Sequence, residues 1–144
     1  MNLSIEVAKE CDKEYFFELY CQSMKGHIQT LWGWNQNWQK NDSEERWASC
    51  ENYLLYNTVK RVGYFQVAEV KGETYIMMFI IDVKYRSKGV GSRALDLLKG
   101  LLSNKSVSLR VFKTNQKALS FYKKNGFSIT EQENEFYVMH HKVA

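Results

Sequence analysis

The residues best suited to chemistry lie in two short segments in the second half of the chain. Residues 86–92 read Arg-Ser-Lys-Gly-Val-Gly-Ser, and they join the apolar residues 75–83 to leucines at helical spacing in residues 90–102. This order predicts a buried strand, a basic loop with two glycines and an amphipathic helix. Such a loop directs free backbone N–H groups and the positive end of a helix dipole at one point, which favours a phosphate or pyrophosphate ligand.

Other phosphate-binding loops fit these residues less well. A P-loop requires Lys and then Ser or Thr after its last glycine, but Gly91 is followed by Ser92 and Arg93. A dinucleotide-binding loop has a third glycine where this chain has Ala94. Its Gly/Ala variant belongs at the first strand of a βαβ unit, whereas this loop lies past the middle of the chain. A glycine turn with a purely structural role is the remaining alternative.

The second segment, residues 106–127, combines a strand with a short helix. Residues 106–112 alternate and are rich in β-forming residues, Asn115 suits a helix N-cap, and Gly126 suits the residue after a helix end. Asn115 and Tyr122 are seven positions apart on the predicted helix and therefore share one face. A tyrosine that only packs in the core is the alternative to a functional Tyr122.

Together the two segments resemble the GNAT acetyltransferase superfamily. The pattern Arg/Gln-x-x-Gly-x-Gly/Ala is the pyrophosphate loop of that family, and residues 86–91 match every fixed position. The second signature of the family is matched in order by Asn115, Ala118, Phe121, Tyr122, Gly126 and Phe127. The resemblance covers residues 53–142 well and the first fifty residues loosely.

The resemblance implies a mixed α+β fold, with a mostly antiparallel sheet of about six or seven strands flanked by about four helices. In this α/β architecture two neighbouring central strands splay apart, and acyl-coenzyme A enters the gap. The local patterns predict strands over residues 3–8, 53–57, 63–70, 73–83, 106–112, 127–130 and 135–142. They predict five helices. Two span residues 12–24 and 28–39, and a third begins at residue 43. A fourth runs from the basic loop to Ser103, and a fifth begins at Asn115. Turns are predicted at residues 58–61 and 71–72.

The resemblance also implies that acetyl-coenzyme A is the co-substrate. Backbone groups of Ile81, Asp82 and Val83 are expected to be unpaired and to bind the pantetheine arm and the thioester carbonyl. The other implied cofactor-binding residues are Arg86, Ser87, Lys88, Gly89, Val90, Gly91, Ser92, Asn115 and Ala118. No metal is expected, because the three histidines lack a metal-binding spacing.

Tyr122 is the general acid that the resemblance implies, with its hydroxyl near the sulfur of coenzyme A. A phenol with a pKa of about 10 cannot fully protonate a thiolate near 8.5, but it can donate a hydrogen bond as negative charge develops. An ammonium acceptor must first lose a proton, at a cost of roughly 4–5 kcal/mol at pH 7. Glu69, Glu73 and Asp82 are the candidate bases, of which we assign Glu73. A desolvated site without a dedicated base is the alternative.

All four tryptophans lie within residues 32–47. In the family this segment forms part of the wall around the acceptor, so Trp32 and Trp34 are expected to contact it by stacking or cation–π interaction. Tryptophans that only fill the core are the alternative.

Length and composition are typical of a small soluble enzyme. The 144 residues suit one domain covering the whole chain, and no apolar run approaches the roughly 20 residues that span a bilayer. The three cysteines are widely spaced, which is typical of reduced thiols in the cytoplasm. A net charge of +4 does not by itself indicate a nucleic-acid partner.

These observations predict an N-acetyltransferase that moves the acetyl group of acetyl-coenzyme A directly to a primary amine on a small molecule or peptide. The alternative from another class is an acyl-coenzyme A-binding sensor or partner module with the same fold and no turnover. A nucleic-acid-binding domain is the weakest alternative, because the chain resembles no known reader motif, and no membrane partner is expected. In the family the final strands often take part in dimers, so a homodimer is also an expectation.

Overall fold

A computed structural model describes residues 2–102 and 106–141 of the chain. Its strands are β1 (Leu3–Val7), β2 (Glu51–Asn57), β3 (Lys60–Val70), β4 (Glu73–Ile81), β5 (Val107–Phe112), β6 (Ser128–Gln132) and β7 (Phe136–His141). Its helices are α1 (Lys13–Trp32), α2 (Gln36–Ser49), α3 (Val90–Leu101) and α4 (Gln116–Lys124). The predicted helix end at Ser103 and strand end at Lys142 lie outside the described residues.

The strands form a single sheet in the order β1-β2-β3-β4-β5-β7-β6. The β4–β5 pair is parallel, and the other five neighbouring pairs are antiparallel. A parallel pair requires a crossover connection, which α3 supplies. The predicted mixed, mostly antiparallel sheet flanked by four helices is therefore confirmed within the described part of the chain.

Helices cover both faces of the sheet. On one face, α3 and α4 contribute Val90, Ala94, Leu95, Leu98, Leu119 and Tyr122 to a core that includes Phe65, Ile76 and Leu109 of the strands. On the other face, α1 contributes Phe16, Phe17, Leu19, Tyr20 and Ile28 against Leu54, Tyr64, Ile80 and Phe112. Alternate residues of the strands thus serve opposite cores, as the two-residue period of a strand requires.

The first helical region differs from the sequence prediction. Three helical stretches were expected before residue 50, with breaks near residues 25–27 and 40–42, but the structure has two α-helices that follow a short 3₁₀ turn, Glu10–Asp12. Gly26 lies inside α1, where one glycine costs only about 1 kcal/mol relative to alanine. The break comes instead at Gly33, whose φ is 78°, and at Asn35, whose side chain accepts the Trp38 N–H at 2.9 Å. A glycine with positive φ ends α1, and an asparagine N-cap begins α2.

Two further boundaries need correction at the ends of the central strands. The turn predicted at residues 58–61 is shorter, because Lys60 and Arg61 already pair with β2. β4 ends at Ile81 rather than at Val83, since Val83 begins a short 3₁₀ turn. The predicted turn at Lys71 and Gly72 is confirmed, and both residues have positive φ, as a tight hairpin turn requires.

Candidate functional site

The basic loop lies between the end of β4 and the start of α3. A 3₁₀ turn, Val83–Tyr85, follows β4, and Asp82 stabilises it by accepting the Lys84 N–H on its Oδ1 at 3.1 Å. Two loop residues have positive φ, Ser87 at 62° and Gly89 at 75°. Gly89 adopts this conformation without a Cβ penalty, whereas Ser87 is strained and must be held by its surroundings.

The first turn of α3 is open to a ligand. Gly89 is the N-cap residue and makes no side-chain cap, and nothing lies within 4 Å of where its Cβ would be. The first backbone N–H groups of a helix have no partner within the helix, and the dipole makes this end positive. The start of α3 therefore fits a phosphate group, as the sequence pattern predicted.

Glycine is needed at position 91 because of close side-chain packing, not because of an unusual backbone conformation. A Cβ at this position would lie only 3.0 Å and 3.1 Å from two ring carbons of Phe121 in α4. The Phe121 ring also lies 6.1 Å, centroid to centroid, from Phe79 of β4. The loop, α4 and the central strand thus meet around one aromatic ring.

β4 and β5 separate partway along their length. They pair only through residues 74–76 and 107–109, although β4 continues to Ile81. A β-bulge in the pairing of β3 with β4 leaves Met77 as an extra residue at the point where the β5 pairing stops. Because bulges bend a strand and increase its twist, this one favours the separation. The expected splay between central strands is confirmed, and it opens toward the basic loop.

The bulge also decides which backbone groups of β4 face the gap. The Asp82 N–H donates to Val62 O of β3 at 2.9 Å. Since backbone groups alternate in direction along a strand, those of Phe79 and Ile81 point away from β3 and toward the gap. The prediction that Asp82 offers an unpaired N–H is therefore wrong, and Phe79, which the sequence did not single out, has the better orientation.

Arg86 and α1 occupy further groups that were expected to be unpaired. The Arg86 Nε donates to Ile81 O at 2.9 Å, and its Nη2 donates to the Ser23 hydroxyl of α1. The Val83 N–H donates to Gln22 Oε1 at 3.5 Å. The expectation of unpaired groups at residues 81–83 is thus wrong for Ile81 O and Val83 N–H as well. The N–H of Ile81 remains directed at the gap.

Asn115 caps α4 with one end of its amide and leaves the other available. Its Oδ1 accepts the Ala118 N–H at 3.2 Å. Its Nδ2 has no hydrogen-bond partner among residues 2–102 and 106–141. An amide has two distinct ends, so Asn115 can cap the helix and donate to a ligand at once.

Tyr122 lies in the core between the sheet and α4, with 9% of its surface exposed. Its ring makes edge contacts with Phe121 at 5.1 Å and Phe127 at 5.4 Å between centroids. No described residue forms a hydrogen bond with its hydroxyl. Burial raises the pKa of the Tyr122 phenol well above its ordinary value. The group therefore stays protonated at neutral pH, and it is better suited to donating a hydrogen bond than to transferring its proton completely.

The three candidate carboxylates lie near the two ends of β4, Glu69 and Glu73 at its start and Asp82 after its end. Glu73 stands at the start of β4, about 13 Å before Met77 at about 3.3 Å per residue, and its Oε2 lies 3.2 Å from His140 Nε2. Glu69 is near the same end of the sheet, where it pairs with Thr74. Asp82 caps the 3₁₀ turn. A base must reach the proton directly or through one water. Glu69 and Glu73 lie at the end of β4 opposite to the opening, and the Asp82 carboxylate already accepts the Lys84 N–H.

The two predicted acceptor-binding tryptophans have different surroundings. Trp32 is 58% exposed at the end of α1, and its ring lies 6.0 Å from Phe112 and 6.2 Å from Phe136. Phe112 is the last residue of β5, so Trp32 stands beside the strand that diverges from β4. Trp34 is half-buried in the α1–α2 connection, where its Nε1 donates to Gln36 Oε1 at 2.8 Å.

His27 joins this aromatic surface, although no sequence pattern pointed to it. Its ring stacks on Phe112 with 5.4 Å between centroids, and its Nδ1 lies 3.3 Å from Thr114 Oγ1. His27 and Thr114 are far apart in the chain, so a local pattern could not have paired them. Gln22 and Ser23 were missed for the same reason.

The described residues include no group of three or more His, Cys, Asp or Glu side chains placed to hold a metal ion. Within the same residues, every helix is too short or too polar to cross a bilayer.

The fold is a mixed α+β fold in which a parallel strand pair opens beside an uncapped helix start, so a cleft lies next to a helix end suited to phosphate. Residues 10–127 match the Acetyltransferase (GNAT) family. The chain belongs to this family, which confirms the resemblance seen in its two signature segments.

Solved structures with the same fold include two N-acetyltransferases and the protein Ard1. The PaiA N-acetyltransferase from Thermoplasma acidophilum in complex with coenzyme A has a TM-score of 0.79 at 16% identity, covering 99% of this chain and 100% of that one. Ard1 from Thermoplasma volcanium has a TM-score of 0.72 at 25% identity, covering 100% and 99%. The ribosomal-protein-S18-alanine N-acetyltransferase from Escherichia coli has a TM-score of 0.73 at 16% identity, covering 99% and 96%.

Proposed function

We propose that the protein is an N-acetyltransferase that moves the acetyl group of acetyl-coenzyme A to a primary amine by direct transfer. One observation carries the proposal: the gap between β4 and β5 opens toward the same end of the sheet as the uncapped start of α3. A ligand with phosphates at the helix and an acyl thioester in the gap would use both features. The complex of the PaiA relative with coenzyme A supports this choice of co-substrate.

The chain supplies binding groups of the right kind for such a ligand. The N–H groups at the start of α3 would hold the phosphates, and the Nδ2 of Asn115 would donate a further hydrogen bond. Backbone groups of Phe79 and the N–H of Ile81 would bind the pantetheine arm and polarise the thioester carbonyl. Acetyl-coenzyme A would bring the activated acyl group, so these residues need only orient it.

The transfer requires few groups from the protein. The neutral amine nitrogen forms a bond to the acyl carbon, the carbon–sulfur bond breaks, and the sulfur leaves as a thiolate. The nitrogen loses one proton and the thiolate gains one, so the amide and free coenzyme A are both neutral at the reacting atoms. Tyr122 would donate a hydrogen bond to the sulfur as negative charge develops on it. Burial raises the pKa of the Cys21 and Cys50 thiols, which makes them poor nucleophiles and supports transfer without a covalent intermediate.

The acceptor amine must be neutral when it attacks. Glu73 is our assigned base, but its pairing with His140 and its place at the far end of β4 favour the alternative of a desolvated gap without a dedicated base. Trp32, with Phe112 and Phe136, would form the wall of the acceptor site, while Trp34 would support it from the α1–α2 connection. The Escherichia coli relative is an N-acetyltransferase for an alanine of ribosomal protein S18, and that precedent supports an amine on a peptide as one acceptor class.

Isothermal titration with acetyl-coenzyme A tests the co-substrate site. We expect micromolar binding that Gly89→Glu abolishes, because a carboxylate at the start of α3 would repel phosphate and the left-handed φ would strain the loop. Circular dichroism of the variant establishes that it is folded. Failure of the parent protein to bind at millimolar acetyl-coenzyme A would contradict the proposal.

The second candidate, an acyl-coenzyme A sensor without turnover, is favoured by the pairing of the assigned base, Glu73, with His140 at the start of β4. It predicts the same binding isotherm and no release of thiol with any amine.

A further inference from the structure

The strained loop is connected to α1 through Gln22 and Ser23, which lie outside both signature segments. Arg86 bridges two elements, since its Nε donates to Ile81 O at 2.9 Å and its Nη2 donates to the hydroxyl of Ser23. One turn before the loop, the Val83 N–H donates to Gln22 Oε1 at 3.5 Å. Gln22 and Ser23 are consecutive residues of α1, so one turn of that helix contacts two residues of the segment that follows β4, Val83 and Arg86.

The bridge satisfies a carbonyl that the splay leaves without a strand partner. Ile81 O points toward β5, but the described pairing of the two strands stops at Ile76. The guanidinium of Arg86 supplies a charged donor in place of the missing strand. Hydrogen bonds with a charged partner are stronger than neutral ones, so this contact fixes Arg86 at the base of the loop.

The residue that follows needs such support. Ser87 has a φ of 62° without being glycine, and strained conformations of this kind persist only where neighbouring contacts hold them. Ser87 itself makes no hydrogen bond or ion pair with the described residues, so its conformation depends on its chain neighbours Arg86 and Lys88. Holding Arg86 therefore holds the direction in which the start of α3 is presented.

We infer that Ser23 is a positioning residue for the phosphate site, and that it acts through Arg86, with Gln22 in a supporting part. In this role the hydroxyl of Ser23 does not touch the co-substrate. It keeps the guanidinium of Arg86 on Ile81 O, and the loop then presents its N–H groups without first having to be ordered. The inference rests on the proposed function, because it assumes that the loop binds acetyl-coenzyme A.

Titration of acetyl-coenzyme A into Ser23→Ala, Ser23→Thr and Thr30→Ala tests this role. Thr30 matches Ser23 as a hydroxyl on α1, but it bonds only to Gly26 O of its own helix. We expect Ser23→Ala to raise the dissociation constant about 3- to 10-fold, the effect of one lost hydrogen bond. Ser23→Thr, which restores the hydroxyl, should bind like the parent, and so should Thr30→Ala.

A double-mutant cycle with Arg86→Met shows whether Ser23 acts through Arg86. We expect Ser23→Ala to have no further effect on binding once Arg86 is replaced. Parent-like binding by Ser23→Ala, equal losses in Ser23→Ala and Thr30→Ala, or fully additive losses in the double variant would each overturn the inference. If the parent itself does not bind, the proposed function fails instead, so the two failures are distinguishable.

Discussion

At the scale of single residues, the site depends on side chains with two tasks. Asn115 caps α4 through its Oδ1 while its Nδ2 stays available. Tyr122 fills the core while its hydroxyl has no hydrogen bond to the described protein. Both residues could be placed on one short helix from the sequence, because each belongs to a local helix pattern. Which side-chain atoms bond within the fold and which stay available to a ligand could not be predicted. That depends on contacts with distant parts of the chain.

Replacing Tyr122 by phenylalanine removes the hydroxyl and keeps the packed ring. We expect kcat to fall about 10- to 100-fold, because a hydrogen bond to the developing thiolate is lost. The dissociation constant for acetyl-coenzyme A should stay nearly unchanged. Since burial raises the Tyr122 pKa, the pH–rate profile of the parent should show no loss from tyrosine ionisation up to about pH 10. Equal turnover by the parent and the variant would contradict this role.

Asn115→Asp separates the two tasks of Asn115. Aspartate is as good an N-cap as asparagine, so thermal stability should stay within about 0.5 kcal/mol of the parent. Acetyl-coenzyme A affinity should fall, because a donor is replaced by a negative charge close to phosphates. Asn115→Ala should lose both affinity and about 1 kcal/mol of stability. Undiminished affinity in Asn115→Asp would show that the Nδ2 does not contact the ligand.

At the scale of elements, replacing glycine by alanine should change the free energy of unfolding in opposite directions at Gly63 and Gly26. A Cβ at Gly63 would lie 2.5 Å from the backbone oxygen of Ile80, whereas a Cβ at Gly26 meets nothing within 4 Å. We expect Gly63→Ala to destabilise the protein by several kcal/mol, because backbone atoms of β3 and β4 must shift. Gly26→Ala should stabilise α1 by roughly 0.5–1 kcal/mol.

Urea unfolding of both alanine variants checks this contrast. Its outcome also bears on the break between α1 and α2. If Gly26→Ala were strongly destabilising, a continuous α1 through this residue would be wrong.

The same elements show what local sequence can and cannot predict. The loop, α3, β5 and α4 follow from apolar periodicity, glycine and an N-cap, all of which act within a few residues. The break between α1 and α2 was placed near Gly26, whereas the positive φ of Gly33 and the N-cap of Asn35 place it after residue 32. The bulge at Met77 could not be predicted, since it depends on the register of β4 against β3 and β5.

At the scale of the whole molecule, stability should depend on the protonation of His141. Its Nε2 lies 3.3 Å from Lys99 Nζ of α3, its Nδ1 is buried without a partner among the described residues, and Asp96 is 4.0 Å from the same lysine. Burial, followed by the charge of Lys99, lowers the His141 pKa. A lowered pKa means that the folded state disfavours the proton, so stability is present above pH 6.5 and falls as the pH drops below it.

Chemical denaturation at pH 7 and pH 5 tests this dependence. His141→Gln should show a smaller loss of stability between the two pH values than the parent. An equal loss in both proteins would place the acid sensitivity elsewhere in the molecule.

The proposed enzyme releases free coenzyme A from acetyl-coenzyme A only when a suitable amine is present. A sensor of the same fold would release none. The most direct measurement incubates the protein with acetyl-coenzyme A and a panel of peptide, lysine, polyamine and aminoglycoside amines. Thiol release is measured with a colorimetric thiol reagent, and acetylation of the amine is measured by mass spectrometry. We predict at least one amine that is acetylated in step with thiol release, much more slowly with Tyr122→Phe. Tight binding of acetyl-coenzyme A with no thiol released by any amine would contradict the proposed enzyme activity and favour the sensor.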